Sequence, residues 1–183
     1  GTLVVTALVL TGTAATGHAQ PLFKSDSVLE ITITANLRDL LRERDSTKLR
    51  WFGAEFAYAE GGNRATVPVE LRARGHYRRQ RGNCEYPPLM VKLPKEDAQG
   101  TVLQGNPRVK LVTPCRPGNA EYQQYILVEY GAYRSYALLH EAAPRTRLAR
   151  ITYRDSTERV KPVTVLAFFV EIDEEVAKEV SVT

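Results

Sequence analysis

The sequence predicts an α+β protein: a mostly antiparallel sheet with one long buried helix. Three observations predict it. From residue 28 to residue 114, short segments alternate apolar and polar side chains, which is the period of a strand. From 121 to 141 the spacing of apolar residues lengthens to that of a helix, with no proline inside. Two more strand-like runs then follow, separated by a polar hairpin.

The elements can be justified in order. "SVLEITITA" alternates well enough for a strand, and "NLRDLLRERDS" follows as a short amphipathic helix with Asn36 as its N-cap. "RWFGAEFAYAE" sets Trp51, Phe52, Phe56 and Tyr58 in a strand, and Gly61-Gly62-Asn63 turns the chain. "TVPVELRAR" has the cleanest alternation: Val67, Val69, Leu71 and Ala73 share one face, and Glu70, Arg72 and Arg74 the other. "PPLMVKLP" and "NPRVKLVTP" read as two further short strands. The helix "EYQQYILVEYGAYRSYALLHE" repeats Tyr122, Ile126, Tyr130, Tyr133 and Ala137 at helical spacing. It is also apolar on its other side (Val128, Ala132, Leu139), so burial is expected. Between Tyr122 and Leu139 only Glu129 and Arg134 are charged, about 140° apart on the helical wheel, so Glu129 must find a cation elsewhere, reach a solvent channel, or lie on the helix's wetter side. "RTRLARITYRD" and "PVTVLAFFVEI" are the last strands, the second apolar almost throughout like a central strand. "DEEVAKEV" begins an acidic helix.

Residues 1–19 differ from the rest. "GTLVVTALVLTGTAATGHA" has no Asp, Glu, Lys or Arg, opens on an apolar core and ends in a small-x-small pattern before Gln20. It reads as a secretory signal peptide clipped at its front and cleaved after Ala19. The apolar run is shorter than the roughly 20 residues a membrane span needs. Export makes Cys84 and Cys115, the two cysteines of the chain and both flanked by turn residues, a candidate disulfide. A zinc site would need more ligands than these cysteines and His76 and His140 supply at their spacing.

The stretch "ELRARGHYRRQRGNC" holds five arginines and His76 with no acid after Glu70. Clustered arginine suggests nucleic acid, but a net charge of +4, with acids crowded near the C-terminal end, disfavours that partner. The order of elements offers another reading. A strand carrying Lys110, then a helix carrying Glu129, then two strands is the order of a protein-kinase N-terminal lobe, where a strand lysine grips nucleotide phosphates and pairs with a helix glutamate. G-x-G-x-x-G, V-A-I-K, H-R-D and D-F-G are all missing.

"VPVELRARGHYRR", "PPLMVKL", "VKLVT", the helix and "LARITYRD…AFFVEID" together resemble the spore coat protein H (CotH) kinase-like family. The likeness is closest to its secreted branch, with R-G-x-x-R-x-x-x-C-x-x-P-P-L followed by K-L-V-T-x-C. It covers roughly residues 66 to 175, and His76 and Tyr77 depart from the usual small polar residues after Arg-Gly. The resemblance implies that residues 20–183 form the N-lobe of an exported atypical kinase, ending before the C-lobe that carries the catalytic acids. It implies ATP and Mg²⁺ as cofactors and a protein substrate. Lys110 and Glu129 would be the catalytic pair, and Arg74, Gly75, Arg78, Lys92 and Glu171 would lie at the nucleotide, with Lys92 as the second candidate cation. A different class stays open beside it: an inactive extracellular domain of the same fold that binds or assembles an envelope protein. An unrelated secreted α+β domain is the third reading.

Overall fold

The computed structural model describes residues 20–45, 47, 50–80 and 82–181; the expected signal peptide lies outside them. Seven strands are present: β1 Leu29–Ala35, β2 Phe52–Glu60, β3 Asn63–Ala73, β4 Leu89–Lys92, β5 Arg108–Val112, β6 Thr146–Asp155 and β7 Val163–Val170. Three α-helices accompany them: α1 Leu37–Arg42, α2 Ala120–Leu139 and α3 Asp173–Ser181. Asn36 caps α1 as expected, its side chain accepting from the Asp39 N–H at 3.1 Å. The β2–β3 turn uses Gly61 and Gly62 at φ +58° and +83°, the left-handed region that favours glycine.

The strands do not stop at an open sheet. They close into a barrel in the order β1-β2-β3-β4-β5-β7-β6. Every neighbour pair is antiparallel except the closing seam, where β6 runs parallel to β1 from Leu29 opposite Ala149 to Ala35 opposite Asp155. Alternation turns one side of each strand inward, and Ile33, Phe56, Leu71, Val91, Leu111, Ile151 and Phe169 meet as one continuous core. Closure is partial along β3 and β7, which pair with β4 and β5 only over Glu70–Ala73 and Phe168–Val170.

This corrects the expected fold. The chain is a closed seven-stranded barrel with a few helices, not a kinase-like N-lobe around a long buried helix. The helix exists at the expected place and length, yet Ile126 is its one buried residue among those described. Val128, Leu138 and Leu139 are 70%, 87% and 85% exposed. The physical reason is that the barrel fills its interior with its own side chains and needs no helix as a plug. α2 instead crosses from β5 to β6 on the outside. There Ile126, Tyr130 and Tyr133 pack on Val112, Phe168 and Val170, the outward residues of β5 and β7.

Candidate functional site

The outward side chains of β3, β4 and β5 fall into rows. Glu70, Lys92 and Arg108 form one, and Arg72, Met90 and Lys110 the next. Beyond β3 the Arg74 N–H still donates to Pro88 at 2.8 Å, which carries the pattern one row further. Gly75 then takes φ +87°, a conformation other residues adopt only with strain, and bends the chain into a single 3₁₀ turn, Tyr77–Arg79. That turn is tied down from both sides. Cys84 and Cys115 are bonded with Cα atoms 4.5 Å apart, and the Glu85 and Tyr86 N–H groups both donate to the Cys115 carbonyl. In the chain-entropy account a loop of this length contributes about 3 to 4 kcal/mol. So the turn carrying Arg78 and Arg79 is held against the segment between β5 and α2.

The result is a groove with α2 along one side and β3–β5 along the other. Arg78 reaches across it and donates to Glu129 of α2 at 3.1 Å. Lys110 donates to Asp173, the first residue of α3, at 2.5 Å. Arg74 lies between these two pairs. Burial pushes its guanidinium below the usual arginine range, while Tyr133, Glu129 and Asp173 act in the opposite sense and Arg78 adds to the fall. Its Nε is buried and has no hydrogen-bond partner. The Tyr133 hydroxyl feels the same surroundings and is pushed up, first by burial and then by Glu129. Three cations therefore face two carboxylates, and one positive charge in the groove is left uncompensated. Beside Arg78 and Glu129 a cavity of about 120 Å³ opens between Thr113, Cys115, Tyr122 and Ile126. Ligand pockets for whole cofactors are typically about 300–1,000 Å³, so this one is too small for a whole cofactor, and neither Arg74 nor Lys110 lines it. A larger depression of about 430 Å³ lies on the outer face of β1–β3, but threonines and alanines line much of it and it gathers no comparable set of charges.

The candidate residues divide accordingly. Arg74, Gly75, Arg78, Lys110 and Glu129 are brought to this groove. The expected ion pair between Lys110 and Glu129 is not formed: each has taken another partner, because the disulfide-anchored turn delivers Arg78 to α2 and β7 leads directly into Asp173. Lys92 stands in the neighbouring row, 2.7 Å from Glu70 and over the Trp51 ring. Glu171 is 1% exposed and is engaged by Arg145 through Nε at 3.0 Å, the backbone N–H at 3.2 Å and the terminal guanidinium nitrogen. That geometry locks the end of β7 to the start of β6, away from the Arg78–Glu129 and Lys110–Asp173 pairs.

Sequence reasoning missed Asp173 and Tyr133 as members of the groove. Tyr133 had a legible signal, since it shares a helical face with Glu129 and lies one turn further on. Asp173 had none, because its partner depends on where β7 ends. Among the described residues no cluster of three or more His, Cys, Asp or Glu side chains is placed to hold a metal ion. The same residues contain no helix long and apolar enough to cross a membrane. Comparison with family models, with curated proteins and with solved structures finds no match.

Proposed function

We propose that the groove binds a phosphate group, and that Arg74 is the residue that receives it. The observation carrying this reading is the uncompensated charge: a half-buried guanidinium with an unpartnered Nε, between two ion pairs that do not neutralise it. Phosphate presents several acceptor oxygens and satisfies arginine donors in pairs. Arg78 and Lys110 would add to it by exchanging one intramolecular carboxylate contact for a ligand oxygen. The resemblance to the CotH kinase-like family makes a nucleotide the first candidate, its terminal phosphates in the groove and the rest along the open surface. On that reading the protein belongs to an exported phosphoryl-transfer enzyme acting on protein, with Mg²⁺ supplied from outside the described residues. The disulfide suits the oxidising compartment that export implies.

One observation favours a second reading, an inactive exported domain that binds a phosphorylated or acidic envelope protein. Both carboxylates of the groove, Glu129 and Asp173, are committed to ion pairs with the groove's own cations. Calorimetric titration of the mature full-length protein with ATP, pyrophosphate and adenosine tests the shared claim. ATP and pyrophosphate should bind and adenosine should not, and Arg74→Ala or Lys110→Ala should weaken binding roughly tenfold to a hundredfold, as expected for one charge-assisted contact. Equal binding of adenosine, or no effect of Arg74→Ala, would remove phosphate recognition from this groove. Transfer of labelled phosphoryl from ATP to protein in the presence of Mg²⁺ then separates the enzyme from the binding domain.

A further inference from the structure

Arg72 stands on β3 beside the groove, and phosphate binding at Arg74 alone gives it nothing to do. Strand alternation turns both arginines to the outer side of the barrel, while Leu71 and Ala73 are buried. Arg72 also shares its row with Lys110, with Met90 between them.

Its surroundings leave its charge unanswered. Nε of Arg72 is buried without an acceptor, and the two terminal nitrogens reach the surface and make no hydrogen bond. Among the described residues no acid is paired with it. Burial pushes its guanidinium below the usual arginine range, and Arg79 and Arg108, both cations, push it the same way. What holds the side chain is Trp51, whose ring centre lies 4.7 Å from the Arg72 Cζ. An aromatic face orients a guanidinium through its quadrupole but has no net charge with which to neutralise it. Lys92 lies over the same ring at 4.5 Å, yet Glu70 balances it at 2.7 Å. Arg72 has no such acid. It is held in place with its charge and its outer donors intact.

We propose that Arg72 is a second anion subsite, and that the groove takes a chain of at least three linked phosphates, one end at Arg74 and the other at Arg72. The inference rests on phosphate recognition at Arg74 and names its ligand class. Neighbouring positions on one face of a strand are about 7 Å apart. The two phosphates of pyrophosphate sit too close together to engage both arginines fully, whereas the outer phosphates of a triphosphate span the gap. Arg72 and Arg74 both lack a paired acid, so the added charge of the longer chain meets an uncompensated cation at each end. The planar donors of a guanidinium meet phosphate oxygens in pairs. Trp51 is a positioning residue: it orders Arg72 and touches no phosphate. The chain has two sources, the tail of a nucleoside triphosphate and inorganic triphosphate, and the chemistry at Arg72 is the same for both.

Trp51 is the single tryptophan of the protein, so its fluorescence reports on Arg72 directly. The test titrates the full-length protein with pyrophosphate, inorganic triphosphate and ATP, following heat and Trp51 emission together. Triphosphate and ATP should bind roughly tenfold or more tighter than pyrophosphate, as one added charge-assisted contact gives. They should also shift the emission as they saturate, while pyrophosphate shifts it little. Arg72→Gln, with the far-ultraviolet spectrum of the wild type, should lose both the preference for the longer chain and the shift. Arg72→Lys, the milder change, should reduce the preference without abolishing it. ATP binding tighter than inorganic triphosphate identifies the nucleotide as the source; equal or weaker binding identifies the bare chain. Pyrophosphate binding as tightly as triphosphate, or a preference that survives Arg72→Gln, would overturn this inference and leave recognition at Arg74 standing. Binding of none of the three would overturn both.

Discussion

Two arginines divide this molecule into a region whose cation is fully satisfied and a region whose cation is not. Arg147 is on the inward side of β6 and fully buried, and every direction it points is answered. It donates to the Ser27 carbonyl at 3.0 Å, the Leu22 carbonyl at 3.2 Å, the Ser27 hydroxyl at 3.0 Å and Glu60 at 2.5 Å. It joins the segment before β1 and the end of β2 to β6. Arg74 follows the end of β3, is less deeply buried, and keeps an Nε with no partner. A buried cation that is fully satisfied is architecture. One that is desolvated yet under-satisfied stores an unmet demand, and in a concave, disulfide-anchored groove that demand points outward to a ligand.

The comparison breaks most visibly at Arg147. Arg147→Met should destabilise the protein by about 3–5 kcal/mol, because it strands Glu60 and leaves two carbonyls without donors. Urea unfolding measures this, and a loss under about 1 kcal/mol would mean that Arg147 is no more structural than a surface residue. Arg74→Met should behave in the opposite way. Removing a desolvated charge with an orphaned donor should leave stability within about 0.5 kcal/mol of the wild type or raise it by about 1 kcal/mol, while phosphate binding is lost. A loss of several kcal/mol would make Arg74 a second Arg147.

A smaller effect sharpens the satisfied side. Asp155, at the end of β6, is held at about 2, chiefly by the Thr157 hydroxyl and then by the backbone N–H groups of Arg159, Leu37 and Val160. A carboxylate held below its usual value of 3.8 gives its stabilisation in full above about pH 4, and that stabilisation is lost as pH falls through 2. Thermal unfolding should therefore weaken between pH 4 and pH 2 more in the wild type than in Asp155→Asn. Parallel curves for the two proteins over that interval would show that the carboxylate contributes nothing.

The strands, their facing and their turns were legible because alternation and Gly61-Gly62 are local signals, and so was the disulfide, because two cysteines leave one pairing. The alternation of β6 even placed Arg147 on the same face as Ala149, Ile151 and Tyr153, so its burial was readable and was overlooked. Closure was not readable. The parallel seam between β1 and β6 joins segments more than a hundred residues apart, and nothing local in either strand specifies it. The exposure of α2 was lost for a related reason. Its apolar residues lie all round the helix, the pattern of burial in a core, although only one face meets the barrel. In the groove, residue types identified Arg74, Arg78, Glu129 and Lys110, but which cation meets which acid depends on where the 3₁₀ turn and α3 come to rest.

The contrast between the two arginines is tested most directly by thermal unfolding of the full-length protein with and without pyrophosphate, in the wild type and in Arg74→Met. A ligand at about a hundred times its dissociation constant adds about 2.7 kcal/mol to the stability of whatever binds it. The wild type should gain several degrees in Tm with rising pyrophosphate, and Arg74→Met, equally folded without it, should gain almost none. Equal shifts in both proteins, or no shift in either, would contradict the account.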